Sequence, residues 1–318
     1  MGRTGLFAAM LFCWLSSSGC WALEDVPLED LTVEAEFPLS ASYTDTTEFG
    51  FGSFWATHGF ELLRIDAASN LVTEIPLDGA TGRQRGITVG EGAVWVPDVG
   101  KGVIFKVDPA TNMVVAEFSA QMLTTQGGLI GAGEGAIWVV TTENLEKTLT
   151  RLNAGDGVVE AKIPLPSSGA GVTVAYGSVW VTGPVNGELY QIDPRTNTIA
   201  STTKLNESPK LLTFGANAIW VLNLADGTVQ RINPDGPKVE ATIDTGADSI
   251  TGEITFGGDY VWVSIPRSVA ALQIDPATNA IIRRYTSKAS IGLVRYGSES
   301  LWVWTKALQR LTPAKQSQ

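Results

Sequence analysis

Cysteine is almost absent from this chain. Of 318 residues only Cys13 and Cys20 carry a thiol, and both lie within the first 20. Past that point no disulfide and no thiolate chemistry can be built, so the fold must be held by its apolar core. Histidine is scarcer still, with His58 the only one. A two-histidine acid–base arrangement is therefore excluded, and a transition-metal site lacks its usual ligands. Positive charge is also short: 22 Lys and Arg face 33 Asp and Glu, a formal net charge of −11. So acidic a chain is not made for nucleic acid or for anionic membrane surfaces. Long apolar runs are missing as well. The longest, Leu6 to Leu15, has ten residues, about half of what a membrane-spanning helix needs.

That short run has a different reading. Arg3 precedes it, small polar residues follow it, and Cys20-Trp21-Ala22 offers a cleavage point after Ala22. The layout is that of an export signal over residues 1–22, leaving 23–318 as a single domain in the periplasm or outside the cell. An alternative stays open: Ser17-Ser18-Gly19-Cys20 loosely resembles a lipobox, which would anchor the chain through a lipid on Cys20. Removing Arg3 with the signal takes the formal charge from −11 to −12.

What the chain has in plenty is tryptophan at regular intervals. Trp55, Trp95, Trp138, Trp180, Trp220, Trp262 and Trp302 are spaced 40, 43, 42, 40, 42 and 40 residues apart. A repeat of this length is the mark of a β-propeller with one four-stranded blade per repeat. The clearest unit reads as strands over Ile87 to Gly90, Ala93 to Val96, Val103 to Val107 and Met113 to Phe118. Each Trp follows an apolar residue, and six of the seven precede Val. Adjacent residues of a strand face opposite sides, so these strands are apolar on both faces. Blades stacked between two neighbours need that pattern, and the Trp is expected to be the wedge between them.

The turns repeat too. Asp108-Pro109-Ala110-Thr111-Asn112 recurs at residues 193–197 and 275–279, with weaker copies at 66–70, 153–157 and 233–237. Asp accepts bonds from its own turn, Pro presets φ, and Asn tolerates the left-handed region. The three aspartates are thus turn formers and not calcium ligands. The seventh unit stops after Leu308 to Leu311, one strand short. Leu31 to Phe37 matches the missing outer strand. The chain is therefore expected to form an all-β, seven-bladed propeller closed by its own N-terminal strand, and a closed ring of this kind needs no second copy to hide its edges.

With Val-Trp-Val, a Gly-rich loop and then Asp-Pro-x-Thr-Asn in succession, the chain resembles the bacterial YVTN-type seven-bladed propellers. These share a broad superfamily with the streptogramin (virginiamycin B) lyases. The resemblance covers about Leu31 to Pro313. Its lyase branch implies a histidine, glutamates and a magnesium ion that open a cyclic depsipeptide by elimination. This chain has no Pro-His pair, and its blades read Trp-Val where that branch reads Trp-Phe. No catalytic set can be carried over residue by residue. Nor does the layout of the related quinone-binding propellers match, since the Trp positions lie in Gly-x-x-Val-Trp-Val contexts.

Function must then lie in what breaks the repeat, at the mouth of the central channel. The loops between second and third strands offer His58, Asp98, Glu143, Asn144, Asn186, Asp226, Arg267 and Lys306. The loops between blades offer Glu48, Arg83, Arg85, Lys210 and Glu253. His58 is the candidate acid or base. Glu48 and Glu253 are the candidate carboxylates for a hard cation, Mg²⁺ or Ca²⁺. Arg85, Lys210, Arg267 and Lys306 could form a cationic funnel, with Asp98, Asn186 and Asp226 as polar contacts for a ligand. Nucleophile elbows, phosphate loops and dinucleotide fingerprints are missing. Two readings follow. One is an exported, non-catalytic scaffold that takes a protein, peptide or small ligand at the channel mouth. The other is an enzyme of the lyase or lactonase kind with a divalent ion in that mouth.

Overall fold

The computed structural model describes residues 23–39, 46–82, 86–120, 130–143, 146–246, 251–265, 269–289 and 291–315. The expected signal over residues 1–22 lies outside them.

Seven sheets form a ring, six antiparallel with four strands and one with five. The blades start at Thr47, Thr88, Ile130, Val172, Pro209, Glu253 and Val294, and are numbered 1 to 7 in that order. In blade 2 the strands run Thr88–Gly90, Ala93–Asp98, Val103–Asp108 and Met113–Ser119, within two residues of the sequence reading. The first strand of each blade lines the central channel, and the fourth is outermost.

The seven hydrophobic clusters are the seven blade interfaces, and each contains one repeat Trp. Every one of these rings is at most 2% exposed. Each packs against the residue that precedes the Trp of the next blade: Trp55 with Val94, Trp95 with Ile137, Trp302 with Phe54. The pair thus works in both directions, the Trp facing forward and its predecessor backward, because side chains alternate along a strand. Each indole also donates to the last residue of its own inner strand, Gly in six blades and Ala175 in blade 4. A buried N–H is thereby satisfied seven times over.

A second contact between blades was invisible in the sequence. The third strand places a cation over the Trp of its own blade, with Arg64, Lys106, Arg151, Arg231 and Arg310 at 5.1 to 5.4 Å from the ring centroid. Its charged end reaches the next blade. Arg64 donates to Asn112 Oδ1 at 2.8 Å, Arg151 to Asn197 Oδ1 at 3.1 Å and Arg231 to Asn279 Oδ1 at 3.2 Å. The same guanidinium groups reach the Pro109, Pro194 and Pro276 carbonyls at 2.5 Å. The Asp-Pro-x-Thr-Asn turn is therefore both a turn and a docking point. Its Asp accepts from the turn, as Ala110 N to Asp108 Oδ1 at 2.8 Å shows, and these donors hold the Asp108 carboxyl below the usual range. Its Asn sits in the left-handed region, φ 58 at Asn112, and offers its side chain to the neighbour.

The ring closes as expected. Strand β2 (Val33–Phe37) pairs antiparallel with Leu308–Leu311 as the outer strand of blade 7. One strand was not foreseen. Strand β1 (Glu24–Pro27) adds in parallel to the outer edge of blade 6. Arg283, 3% exposed, holds it there. This side chain pairs with Glu24 at 2.7 Å and donates to the carbonyls of Ala314 and Lys315. One buried guanidinium therefore ties both terminal segments to blade 6.

Candidate functional site

The seven inner strands enclose a channel of about 970 Å³. Their register places equivalent residues at equal depth, counted from the indole-accepting Gly or Ala. One residue back stand Phe49, Val89, Ala132, Val174, Phe214, Phe256 and Tyr296, and all line the channel. Two residues back, opposite each Trp, stand Glu48, Thr88, Gly131, Thr173, Thr213, Thr255 and Arg295. These line it too. The channel thus has an apolar collar near the inner hairpin turns and a polar waist above it. Gly131 and Gly133 are strand residues, and the turn that follows is Glu134-Gly135. A Cβ on Gly133 would come within 2.6 Å of Val174, so this glycine lets blades 3 and 4 approach.

At the waist Glu48 and Glu253, 205 positions apart in sequence, do converge, and what they converge on is Arg295. The guanidinium donates to Glu48 at 2.9 Å, to Glu253 at 3.0 Å and through Nε to Thr47 Oγ1 at 3.0 Å. Three consecutive blades, 6, 7 and 1, are clasped across the closure seam. Burial pushes the Glu253 carboxyl above the usual glutamate value; Arg295 opposes this and the charge of Glu48 adds to it. Desolvation also works against the Arg295 charge, but Glu48 and Glu253 outweigh it and hold that group above its ordinary value. This donor set does not suit Mg²⁺ or Ca²⁺, because a fixed positive charge already sits between the two carboxylates that would bind the ion. Among the described residues, no three His, Cys, Asp or Glu side chains group as a metal site requires.

The remaining candidates separate. Lys210 lines the channel at the start of blade 5, on a bulge between Pro209 and Leu211. Bulges re-aim side chains and are common beside binding sites. The residue preceding Pro209, Ser208, is in the left-handed region at φ 56, and Thr182 Oγ1 of blade 4 donates to the Lys210 carbonyl at 3.0 Å. Among the described residues the Lys210 ammonium has no carboxylate within ion-pair distance. His58 ends the second strand of blade 1, two residues beyond Ala56, which pairs with Thr47. It is not one of the channel-lining residues, so it is not gathered with Glu48 and Glu253.

Asp98 is a loop strut and not a ligand contact. It is fully buried, and it accepts from Thr81 N and Oγ1 at 2.6 and 2.5 Å and from Gly100 N and Lys101 N at 2.9 Å. Those donors fill the oxygens a ligand would need. Asn186 and Asp226 are exposed at hairpin tips, where the Asn186 carbonyl accepts from Lys204 and Asp226 accepts from Thr228 Oγ1 at 2.8 Å. Lys306 is exposed in the corresponding loop of blade 7. Arg83, Arg85, Asn144 and Arg267, with the side chain of Glu143, lie outside the described residues. The residue that sequence reasoning missed is Arg295. Its signal was available: the position opposite each Trp is Thr in four blades, and charge stands there only in blades 7 and 1.

No protein-family model matches the chain, and no curated protein matches it. Solved structures do. A streptogramin B lyase structure superposes with a TM-score of 0.73 at 20% identity, covering 87% of this chain and 96% of the other. A catalytically inactive virginiamycin B lyase from Staphylococcus aureus with quinupristin gives 0.73 at 17%, covering 88% and 99%. The Cps50 (Swd1) β-propeller domain of Myceliophteria thermophila gives 0.71 at 11%, covering 89% and 100%. At these identities the likeness is one of fold, and the neighbours range from lyases to a propeller domain of another kind.

Proposed function

We propose that this propeller is an exported binding module that takes a ligand at the channel mouth where the inner strands begin. The carrying observation is the state of the charged groups on that wall. Glu48, Glu253 and Arg295 satisfy one another, while Lys210 is presented on a bulge with no ion-pair partner among the described residues. Below it Thr88, Thr173, Thr213 and Thr255 supply hydroxyls at the waist. A ligand with a carboxylate or other anionic end, small enough or thin enough to enter, fits this lining. The seam arginine then acts as scaffold, and binding needs no group to change protonation state.

Saturation-transfer NMR against small carboxylates, with matched amides as neutral controls, tests the reading. Carboxylates should bind, and Lys210→Met should weaken them about five- to tenfold while leaving the melting temperature unchanged. Equal binding of carboxylates and amides, or no effect of Lys210→Met, would remove the basis of the proposal.

The rival reading, a lyase- or lactonase-like enzyme, rests on the fold neighbours. It predicts ring opening of quinupristin in the presence of Mg²⁺, visible as a new chromatographic peak that His58→Ala abolishes. Under the binding reading quinupristin is recovered intact.

A further inference from the structure

The opposite mouth of the channel, ringed by the turns between first and second strands, has a different and asymmetric chemistry. Blades 5, 6, 7 and 1 present Phe214, Phe256, Tyr296 and Phe49 there in one continuous arc. Blades 2, 3 and 4 present only Val89, Ala132 and Val174 at the same depth. Three of these rings pack over the glycine that ends the inner strand of the preceding blade. A Cβ on Gly215 would come within 2.2 Å of Phe256, one on Gly257 within 2.4 Å of Tyr296, and one on Gly297 within 2.3 Å of Phe49. Tyr296 also stacks on Trp262 at 5.1 Å and 9°, and Phe214 meets Tyr176 edge-on at 6.2 Å. The arc is therefore a fixed surface, and Phe214 is still 46% exposed.

Around this arc runs negative charge. The seven two-residue turns carry Glu91, Glu134, Asp259 and Glu299 and not one Lys or Arg, and all four acids are exposed. Asp259 and Glu299 lie in the turns of blades 6 and 7, the two middle blades of the arc. Both act on the Tyr296 hydroxyl: burial raises its pKa first, and the charges of Glu299 and Asp259 add to that. Two further turns hold bulky aromatics in the left-handed region, Phe51 at φ 50 and Tyr176 at φ 54. They are 44% and 42% exposed, so little burial offsets the backbone cost of about 1 kcal/mol or more at each.

We propose that this mouth is a second binding site, for an organic cation: an ammonium bearing methyl or methylene groups, seated against Phe256, Tyr296 and Phe49, with Asp259 and Glu299 as counter-charges. The two halves of the chemistry define the ligand together. Aromatic faces attract a cation through their quadrupole and also cover its apolar substituents. A neutral apolar ligand would gain nothing from the acidic turns. A hydrated metal ion or bare ammonium would gain little from the rings. In blade 5 this site, at Phe214, is four residues along the inner strand from Lys210, and it does not depend on the anion-binding reading of the other mouth.

The test compares choline with 3,3-dimethylbutan-1-ol, which has the same shape without the charge, by calorimetric titration of the chain from residue 23 onward. Choline should bind saturably and at least about fivefold more tightly than the alcohol. Asp259→Asn combined with Glu299→Gln should weaken choline severalfold and flatten its salt dependence, with no change in melting temperature, since both side chains are exposed. Phe256→Leu should weaken choline while keeping the collar apolar. Lys210→Met should leave choline binding as it was. Failure of choline to saturate, equal affinity for the two probes, or indifference to the Asp259/Glu299 double variant would each overturn the proposal.

Discussion

Closure of the ring by β2 can be tested on one residue. Phe37 is 5% exposed, and its ring lies on Trp302 at 6.0 Å and 15° within the cluster that joins blades 7 and 1. Burying an aromatic of this kind removes about 150–250 Å² from water, worth about 4–6 kcal/mol gross at ~25 cal/mol per Å². Truncation to Ala should cost about 3–5 kcal/mol. Phe118 is the matched control. It holds the same place in the outer strand of blade 2, is likewise 5% exposed, and packs on Trp95 at 5.4 Å. Phe118→Ala should destabilise by a similar amount, but its strand is joined through a five-residue turn to the strand it pairs with, whereas β2 meets Leu308–Leu311 only through non-covalent contacts. Hydrogen exchange separates the two. Phe37→Ala should expose the amides of Val33–Phe37 and Leu308–Leu311 by local opening, well below the global unfolding free energy. Phe118→Ala should leave those amides protected. Equal protection of β2 in both variants would mean that the seam is no weaker than any other blade, and the closure argument would fail.

Other consequences follow from the same contacts. A double-mutant cycle on Arg151→Met and Asn197→Ala should return a coupling of about 1–2 kcal/mol in urea melts, and a coupling near zero would reduce the Asp-Pro-x-Thr-Asn turn to a turn alone. Glu253 binds its proton more tightly folded than unfolded. As pH rises from its ordinary value near 4.5 toward the raised folded value, the unfolded chain ionises first and native stability falls. Glu253→Gln cannot titrate, so its stability should gain on the wild type across that window, and parallel curves would contradict the burial argument. Thr81→Val removes one of the donors to the buried Asp98 and should cost about 1.5–3 kcal/mol, because the lost bond is to a charged acceptor. A change within error would mean water replaces the hydroxyl.

Much of the architecture was legible because a propeller is encoded locally. Each blade needs the same inner strand, Trp strand and turn, and the need recurs about every 40 residues. Even closure could be read, since Leu31 to Phe37 repeats the pattern of Val114 to Phe118. Strand β1 could not, because Glu24-Asp25-Val26-Pro27 carries no strand pattern. It pairs because blade 6 offers a free edge and Arg283 a buried charge to satisfy. The Arg64, Arg151 and Arg231 contacts were hidden for a related reason: each spans a blade boundary, and nothing in either segment names its partner.

The site divides along the same line. The sequence alone determined seven equivalent segments and marked where they depart from equivalence, which brought Glu48, Glu253 and Lys210 to notice. Only the tertiary structure decided what those departures do. The channel wall is built from seven pieces far apart in the chain, so a carboxylate's chemistry depends on which side chain the ring closes against it. For Glu48 and Glu253 that side chain is Arg295, 247 and 42 residues away. For Asp98 it is Thr81, whereas Lys210 stands on a bulge in the channel wall. Periodicity fixes the number and stacking of blades because every blade repeats the same local energetics, whereas the charges in the channel meet only once the ring has closed.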